Sequence, residues 1–496
     1  MKLKYLWIFA AATIGFAACS SDDDEEPAVG VTAATITPAG SSVTYNLSAA
    51  EVGVLDNKSD SVAWDVTDAA LSEAVLKVTP TLNTVVSVNG TEITSEGVVV
   101  NANQPIVLTA TGSGITKTVT INVFRAVTAA EGLTKKATLA TTNVVWRDVT
   151  YWKGKFYAFT VTNTVTDAAA GTSLEEYKLS SSTDGVTWAD IDYKVTNVEN
   201  EVIGGEGARL LAQGDKLYIF NGMRTLGTDK YGNEAEIENG WFGPSPTIAK
   251  WRGFVTTDGQ NFTSLEEQAS VSRQGTALGL AVLKMYNNPY GTAVVFKDQL
   301  FLIGGYTISF SMTQTARNIL TSTDGTTWSI LAPVDAEGAS VVLPFLGSEV
   351  FVLNNKLYLI AGFGNFVSDS QNSIAVYSSE DGTVWKNEGT LEGIGNIYQG
   401  RVVSNGSVAY LVGGETLGED GATRVINNKV YRSTDAINWT EVTTPAAFAG
   451  SRYPSAVAVG NAAWFFGGAA EVSTGSYAAP TGTEAYSGDV WNTQFK

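Results

Sequence analysis

Residues 300–328, LFLIGGYTISFSMTQTARNILTSTDGTTW, decide how the rest of this chain is read. An apolar strand ends in Gly304-Gly305, a loop follows, and a second strand runs into a Ser-Thr-Asp-Gly turn closed by Trp328. The same unit returns along the C-terminal three quarters of the sequence. Its first strands end LYIFNG (217–222), LYLIAG (357–362), AYLVGG (409–414) and AWFFGG (463–468), with a degenerate FYAFTV at 156–161. Its turns read SSTDGVTW (181–188), TTDGQNF (256–262), SSEDGTVW (378–385) and RSTDAINW (432–439). Self-similarity at this spacing marks an array of small sheets that bury their faces against one another.

Each unit supplies an inner strand a, the Gly-ended strand b, a strand c before the Asp turn, and a strand d after the aromatic. Six units are expected, with inner strands near 147–152, 208–213, 292–296, 349–353, 401–404 and 455–459. The sixth ends at DVWNTQFK (489–496), a strand c with no residues left for strand d. LTKKATLA (133–140) is expected to supply the missing strand, so that both ends of the array share one sheet and no edge stays open. No seventh Gly pair exists. The array resembles the kelch family of propellers over 144–496, with the Gly pair intact at 304–305, 413–414 and 467–468 and partial at 221–222 and 361–362. The turns are also similar to the Asp-box of sialidases, although STDGTTW is one residue short of that spacing. The resemblance implies an all-β chain whose residues 131–496 form a six-bladed kelch-type β-propeller closed by an N-terminal strand.

Ahead of the array the chain changes character. Lys2 and Lys4 precede an apolar run that ends at Cys19, a secretory signal too short to span a bilayer. Phe16-Ala17-Ala18-Cys19 resembles a bacterial lipobox, which implies removal of 1–18 and lipidation of Cys19. Five consecutive acids, Asp22 to Glu26, then form a solvated tether over 19–29. Next to a lipidated Cys they are similar to the acidic export signal of Bacteroidetes surface lipoproteins, which implies an outer-membrane anchor with the protein exposed on the cell surface. Residues 30–126 read as a β-sandwich with Ig-like or cadherin-like character, Asn89-Gly90 being a type I′ hairpin turn and 117–124 alternating apolar and polar. The arrangement as a whole resembles Bacteroidetes lipoproteins that join an Ig-like domain to a kelch-type propeller. The sandwich reads as a stalk.

Composition removes whole classes of chemistry. The 496 residues contain no His, and Cys19 is the only Cys. Ser-His-Asp and Cys-His nucleophiles, internal disulfides and imidazole or thiolate metal sites are therefore excluded. No cofactor and no metal are expected. The formal charge of −19 becomes −21 once Lys2 and Lys4 leave with the signal, which argues against nucleic acid and leaves the lipid anchor as the only membrane contact.

The turn aspartates Asp184, Asp258, Asp324, Asp381 and Asp435 recur as turn chemistry requires, because Asp and Ser accept bonds from nearby amides. Trp188, Phe262, Trp328, Trp385 and Trp439 read as packing between blades. Long connections fall on the b–c and d–a side of the array, where binding usually resides. Aligning strand a by its distance to strand b places Asp148, Arg209, Thr292, Glu349, Arg401 and Ser455 in a ring at the channel mouth on that side. Arg147 and Arg452 lie beside it. The ring has two readings: an internal salt-bridge belt, or a pocket gripping a carboxylate or sugar hydroxyls through arginine. Trp241, Trp251, Tyr290, Tyr398 and Tyr453 would add stacking faces. Function divides accordingly into a non-catalytic module for a glycan or protein ligand, or a carboxylate-based glycan-active enzyme using Asp148 and Glu349.

Overall fold

The structure is a computed structural model that describes most of residues 29–495. Outside the described residues lie 1–28, 49–58, 197–202, 223–226, 229–233, 236–252, 279–289, 305–318, 361–374 and 473–484, with shorter breaks between them. Cys19, the acidic run, Trp241 and Trp251 therefore fall outside the description. The chain is all-β, and no described segment is an α-helix. No described helix is long and apolar enough to cross a membrane.

Residues 29–125 build two sheets. In one, Val31–Ala39 lies between Tyr45–Ser48 and Ala70–Pro80, with Val98–Val100 beyond. In the other, Ile115–Arg125 pairs Ser59–Trp64 in parallel and Ile106–Gly112 antiparallel, and Val85–Val88 follows. Ile36 and Leu76 of the first sheet share a buried cluster with Val86, Leu108 and Ile121 of the second, so the apolar faces meet in one core. The hairpin turn takes left-handed backbone at both positions, φ 46° at Asn89 and 84° at Gly90.

Beyond residue 131 the described residues form six four-stranded antiparallel cores. The third unit shows the pattern: Thr292–Phe296, Gln299–Ile303, Ile319–Ser322 and Thr327–Leu331 pair in sequence order. The other inner strands are Val144–Trp152, Arg209–Gln213, Glu349–Leu353, Arg401–Ser404 and Ser455–Val459. The sixth sheet takes its outer strand from Thr134–Thr138, which pairs Asp489–Gln494 antiparallel. Lys135 meets Asp489 at 2.6 Å across that junction. Each inner strand touches the inner strand of the next unit, and the sixth touches the first.

Aromatic side chains set the spacing between sheets. Trp328 of the third sheet meets Phe220 of the second edge-on at 5.4 Å, and Trp188 of the first meets Phe466 of the sixth at 6.0 Å. The glycine of the Asp turn makes room for the neighbour: a Cβ on Gly325 would lie 2.6 Å from the Tyr218 ring, and one on Gly185 2.8 Å from Trp464. The turns close on themselves. The Asp324 carboxylate accepts the Thr326 and Thr327 amides at 2.7 Å, and the Ser322 hydroxyl accepts the Gly325 amide at 2.9 Å. The same bonds recur at Asp184, Asp258, Asp381 and Asp435. Desolvation opposes ionisation there, but the Thr327 and Thr326 amides and the Ser322 hydroxyl outweigh it and hold Asp324 down to about 2. The Gly pairs serve the neighbouring sheet and their own: a Cβ on Gly413 would lie 2.4 Å from the Ser451 carbonyl, in the backbone that enters the sixth sheet. A Cβ on Gly414 would lie 2.5 Å from the Tyr398 carbonyl, and one on Gly468 2.0 Å from the Arg452 carbonyl, so both pass the backbone that enters strand a of their own sheet.

The d–a connections do more than link sheets. Lys194–Val195, from the first, adds a parallel strand to the outer edge of the second sheet. Ser270–Arg273, from the second, does the same on the third. Those outer edges are thereby covered.

Candidate functional site

The ring positions are equivalent in register. Asp148 pairs Phe159, Arg209 pairs Phe220, Thr292 pairs Ile303, Glu349 pairs Ile360, Arg401 pairs Val412 and Ser455 pairs Phe466. In five of these sheets that is where strand a begins beside the end of strand b, the end served by the b–c and d–a connections; in the first, Val144–Trp152 begins four residues earlier.

Four charges from four sheets form one network. Asp148 Oδ1 lies 3.4 Å from Arg209 Nη1 and 3.5 Å from Arg401 Nη2. The other Asp148 oxygen accepts the Leu210 amide at 2.8 Å, and Ser455 Oγ lies 3.3 Å from Oδ1. Arg401 Nη1 reaches both oxygens of Glu349, at 3.2 and 3.3 Å. One guanidinium thus spans the two carboxylates, which brings them closer than opposite points of an open channel would be. The Nε donors are bonded as well: Arg209 Nε donates to the Gly291 carbonyl at 2.7 Å, and Arg401 Nε to that of Pro454 at 3.3 Å. Arg209 also stacks on Trp146 at 4.9 Å. Both arginines thus bond to groups of their own chain, Arg209 to Asp148 and Arg401 to Asp148 and Glu349.

Burial sets the protonation of the carboxylates. It pushes Asp148 above its usual value, against the pull of the Arg209 charge and the Leu210 and Ser455 bonds. Glu349 is pushed up to about 8, by burial first and by the Asp148 charge second, with Arg209 and the Val402 amide opposing. Asp148 engages both guanidiniums, and the Arg209 charge and the Val402 amide do not offset the desolvation of Glu349.

An aromatic layer lies two positions upstream. Trp146, Tyr290 and Tyr453 precede Asp148, Thr292 and Ser455 by two residues, and their rings meet one another at 5.3, 6.2 and 5.7 Å. Tyr290 donates a short hydrogen bond to Glu206, a buried acid that no sequence repeat marks. Tyr290, Gln399 and Tyr453 all adopt left-handed backbone, at φ 63°, 58° and 49°. Tyr290 and Tyr398 are buried and Tyr453 half-buried, so these rings pack within the protein and do not present the open stacking faces expected of them. Arg452 is fully buried and tied into a triad in which Glu415 lies 3.5 Å from it and 3.0 Å from Arg424.

Several buried polar atoms near this layer have no hydrogen-bond partner. They are Thr292 Oγ1, both amide atoms of Gln399 and the Tyr453 hydroxyl. At the seam between the first and sixth sheets, Arg147 Nη1 and the Tyr486 hydroxyl are in the same state. Gln399 and Tyr486 carry no periodic signal of their own. Gln399 was legible only as the residue two before a ring position. No group of three or more potential metal ligands occurs among the described residues.

No family model matches the chain, and no curated protein matches it. Among solved structures the chain is similar to one titled "Structure of YjhT", at TM-score 0.41 and 13% identity, over 72% of this chain and 97% of that one. A likeness of that size carries no argument.

Proposed function

We propose that this chain is a non-catalytic binding module for a glycan, presented on a six-bladed kelch-type β-propeller whose b–c and d–a face is the binding face. In this reading Cys19 carries the lipid, the acidic run is a tether, and the two-sheet unit is a stalk on the outer surface of the outer membrane. The cyclic order of the inner strands and the closing strand Thr134–Thr138 support the propeller.

One observation carries the binding reading. Thr292 Oγ1, the Gln399 amide and the Tyr453 hydroxyl are buried donors and acceptors without partners, gathered at the loop-side ends of three inner strands. Leaving such a group unsatisfied costs about 1–3 kcal/mol. A partner with several hydroxyls matches this uncharged mixture of donors and acceptors better than a peptide surface does, so we favour a glycan over a protein ligand. The test is a glycan array with the full chain, repeated with Gln399→Ala and Tyr453→Phe. Capture of a defined glycan set, lost in both variants, is the expected result. Capture unchanged in both overturns the reading.

A second reading draws on Glu349. A carboxyl held protonated near neutrality, bridged by Arg401 to an acid partner, is the arrangement of a general acid. Turnover of a captured glycan, abolished by Glu349→Gln, would move the assignment to a glycan-active enzyme.

A further inference from the structure

Among the arginines of this face, Arg147 is arranged unlike the others. Arg209, Arg401, Arg424 and Arg452 each lie within 3.5 Å of a carboxylate. Arg147 is 6% exposed, and among the described residues no carboxylate forms an ion pair with it. Its Nη2 donates to the Ala140 carbonyl at 3.0 Å. Its Nη1 is buried and bonds to nothing. The guanidinium lies 5.4 Å from the centre of the Tyr486 ring, and the Tyr486 hydroxyl is also buried without a partner.

The position follows from the fold. Arg147 is adjacent to Asp148 in the first inner strand, and alternation along a strand sends the two side chains to opposite faces. Asp148 turns toward Arg209, Arg401 and Ser455. Arg147 turns toward the seam with the sixth sheet, where Tyr486 is pinned by its bridge to Ala469, and Ala469 in turn accepts the Arg452 amide. Both side chains are thus held by backbone pairing on the loop-side end of the array.

A buried cation with no counter-charge is among the costliest arrangements a protein can hold. A guanidinium over a tyrosine ring, with one N–H and the phenolic hydroxyl both unbonded, offers two donors to one oxyanion. We infer that Arg147 and Tyr486 form an anion subsite that takes a carboxylate, and that the glycan of the proposed function is therefore an acidic one. This rests on the reading of the loop face as a glycan-binding surface, and it assigns the ligand's charge to a different arginine from the two on the axis. Burial lowers the Arg147 pKa from its usual value, against the opposing influence of Tyr486.

The experiment uses the full chain and four probes at constant ionic strength: sodium acetate, sodium sulfate, D-glucuronate and D-glucose. Binding is read by calorimetry, and stabilisation by thermal unfolding, for the wild type, Arg147→Gln and Tyr486→Phe. Tyr486→Phe keeps the ring under the guanidinium and removes only the hydroxyl, so it serves where Arg147→Gln fails to fold. Acetate is expected to stabilise the wild type and not the variants, and D-glucuronate to bind more tightly than D-glucose. Tyr486→Phe should weaken D-glucuronate by about tenfold and leave D-glucose unchanged, the size of one hydrogen bond to a charged group. Equal binding of D-glucuronate and D-glucose, with no acetate effect, overturns the subsite and leaves the glycan reading standing. Acetate stabilisation that needs both residues, on a protein that captures no glycan, keeps the subsite and removes the proposed function. A response to sulfate alone overturns the carboxylate assignment, and no response to any probe overturns the subsite.

Discussion

Glu349 gives the clearest quantitative handle on this molecule. Its carboxyl has an ordinary value of 4.5 and is held at about 8 in the fold. Between those values the folded chain keeps a proton that the unfolded chain releases. Unfolding is then favoured as pH rises, so stability is full below about 4.5, falls through the window, and levels off above about 8. The displacement corresponds to something on the order of 4–5 kcal/mol across the window, a large share of a domain's stability. The turn aspartates shift the opposite way and act below this range, as at Asp184 and Asp324, each held at about 2. Buried tyrosines such as Tyr151, held at about 12, act above it.

The perturbation is Glu349→Gln, which keeps the shape and removes the titration. Ten of the twelve tryptophans lie within 131–496, so urea unfolding followed by tryptophan fluorescence reports on the sheet array. Wild type should lose stability steadily from pH 5 to pH 8. Glu349→Gln should show a flatter profile and be the more stable protein at pH 8 and above, while Asp148 contributes a residual slope of the same sign. Parallel profiles for the two proteins would refute the reasoning, because the proton would then reside elsewhere.

Four further substitutions test the scaffold. Gly325→Ala forces a Cβ into left-handed backbone at φ 81° and to 2.6 Å from Tyr218, and should cost about 1–2 kcal/mol in backbone strain and about 1–3 in overpacking. Ala436 occupies the same turn position at φ 67°, so Ala436→Gly should be neutral or stabilising by up to about 1 kcal/mol in the same denaturation assay. Asp324→Ala removes the acceptor of two amides and should lower stability by about 1–2 kcal/mol while leaving glycan-array binding intact. Asp148→Asn leaves two buried guanidiniums short of charge and should cost about 3 kcal/mol or more. It should also bring Glu349 below about 8, read as a shift of the pH-dependent window, since the Asp148 charge is one of the forces raising it.

The sequence carried the scaffold because the scaffold repeats. STDG turns, Gly-ended strands and a closing tryptophan each answer one local demand: amide acceptors, left-handed backbone, and a ring large enough to fill the gap between sheets. A demand met five times over leaves a pattern that can be counted. The ring was legible for the same reason, since Arg209 and Arg401 hold equivalent register positions. Which groups those arginines would satisfy was not legible. That depends on distances across the axis, between residues such as Asp148 and Arg401 that lie far apart in sequence and on sheets whose approach no local motif records. Glu206, Gln399 and Tyr486 were missed because each is used once.

The two classes of arginine divide the labour of the loop-side end. On the axis, each guanidinium meets a carboxylate and a backbone carbonyl, and its charge is spent on joining sheets one, two, four and five. A ligand that competed for Arg209 or Arg401 would have to unpair Asp148 or Glu349, and with them the contact between those sheets. Binding that leaves the scaffold intact must therefore use groups with unspent capacity. Among the described residues these include Thr292, Gln399 and Tyr453 near the aromatic layer, and Arg147 with Tyr486 at the first–sixth seam. Substitution at the axis should accordingly show itself first in stability, and substitution at the unspent groups first in affinity. The ordering itself is the test: an Arg401→Lys protein that unfolds as the wild type does but captures no glycan would return the ligand to the axis.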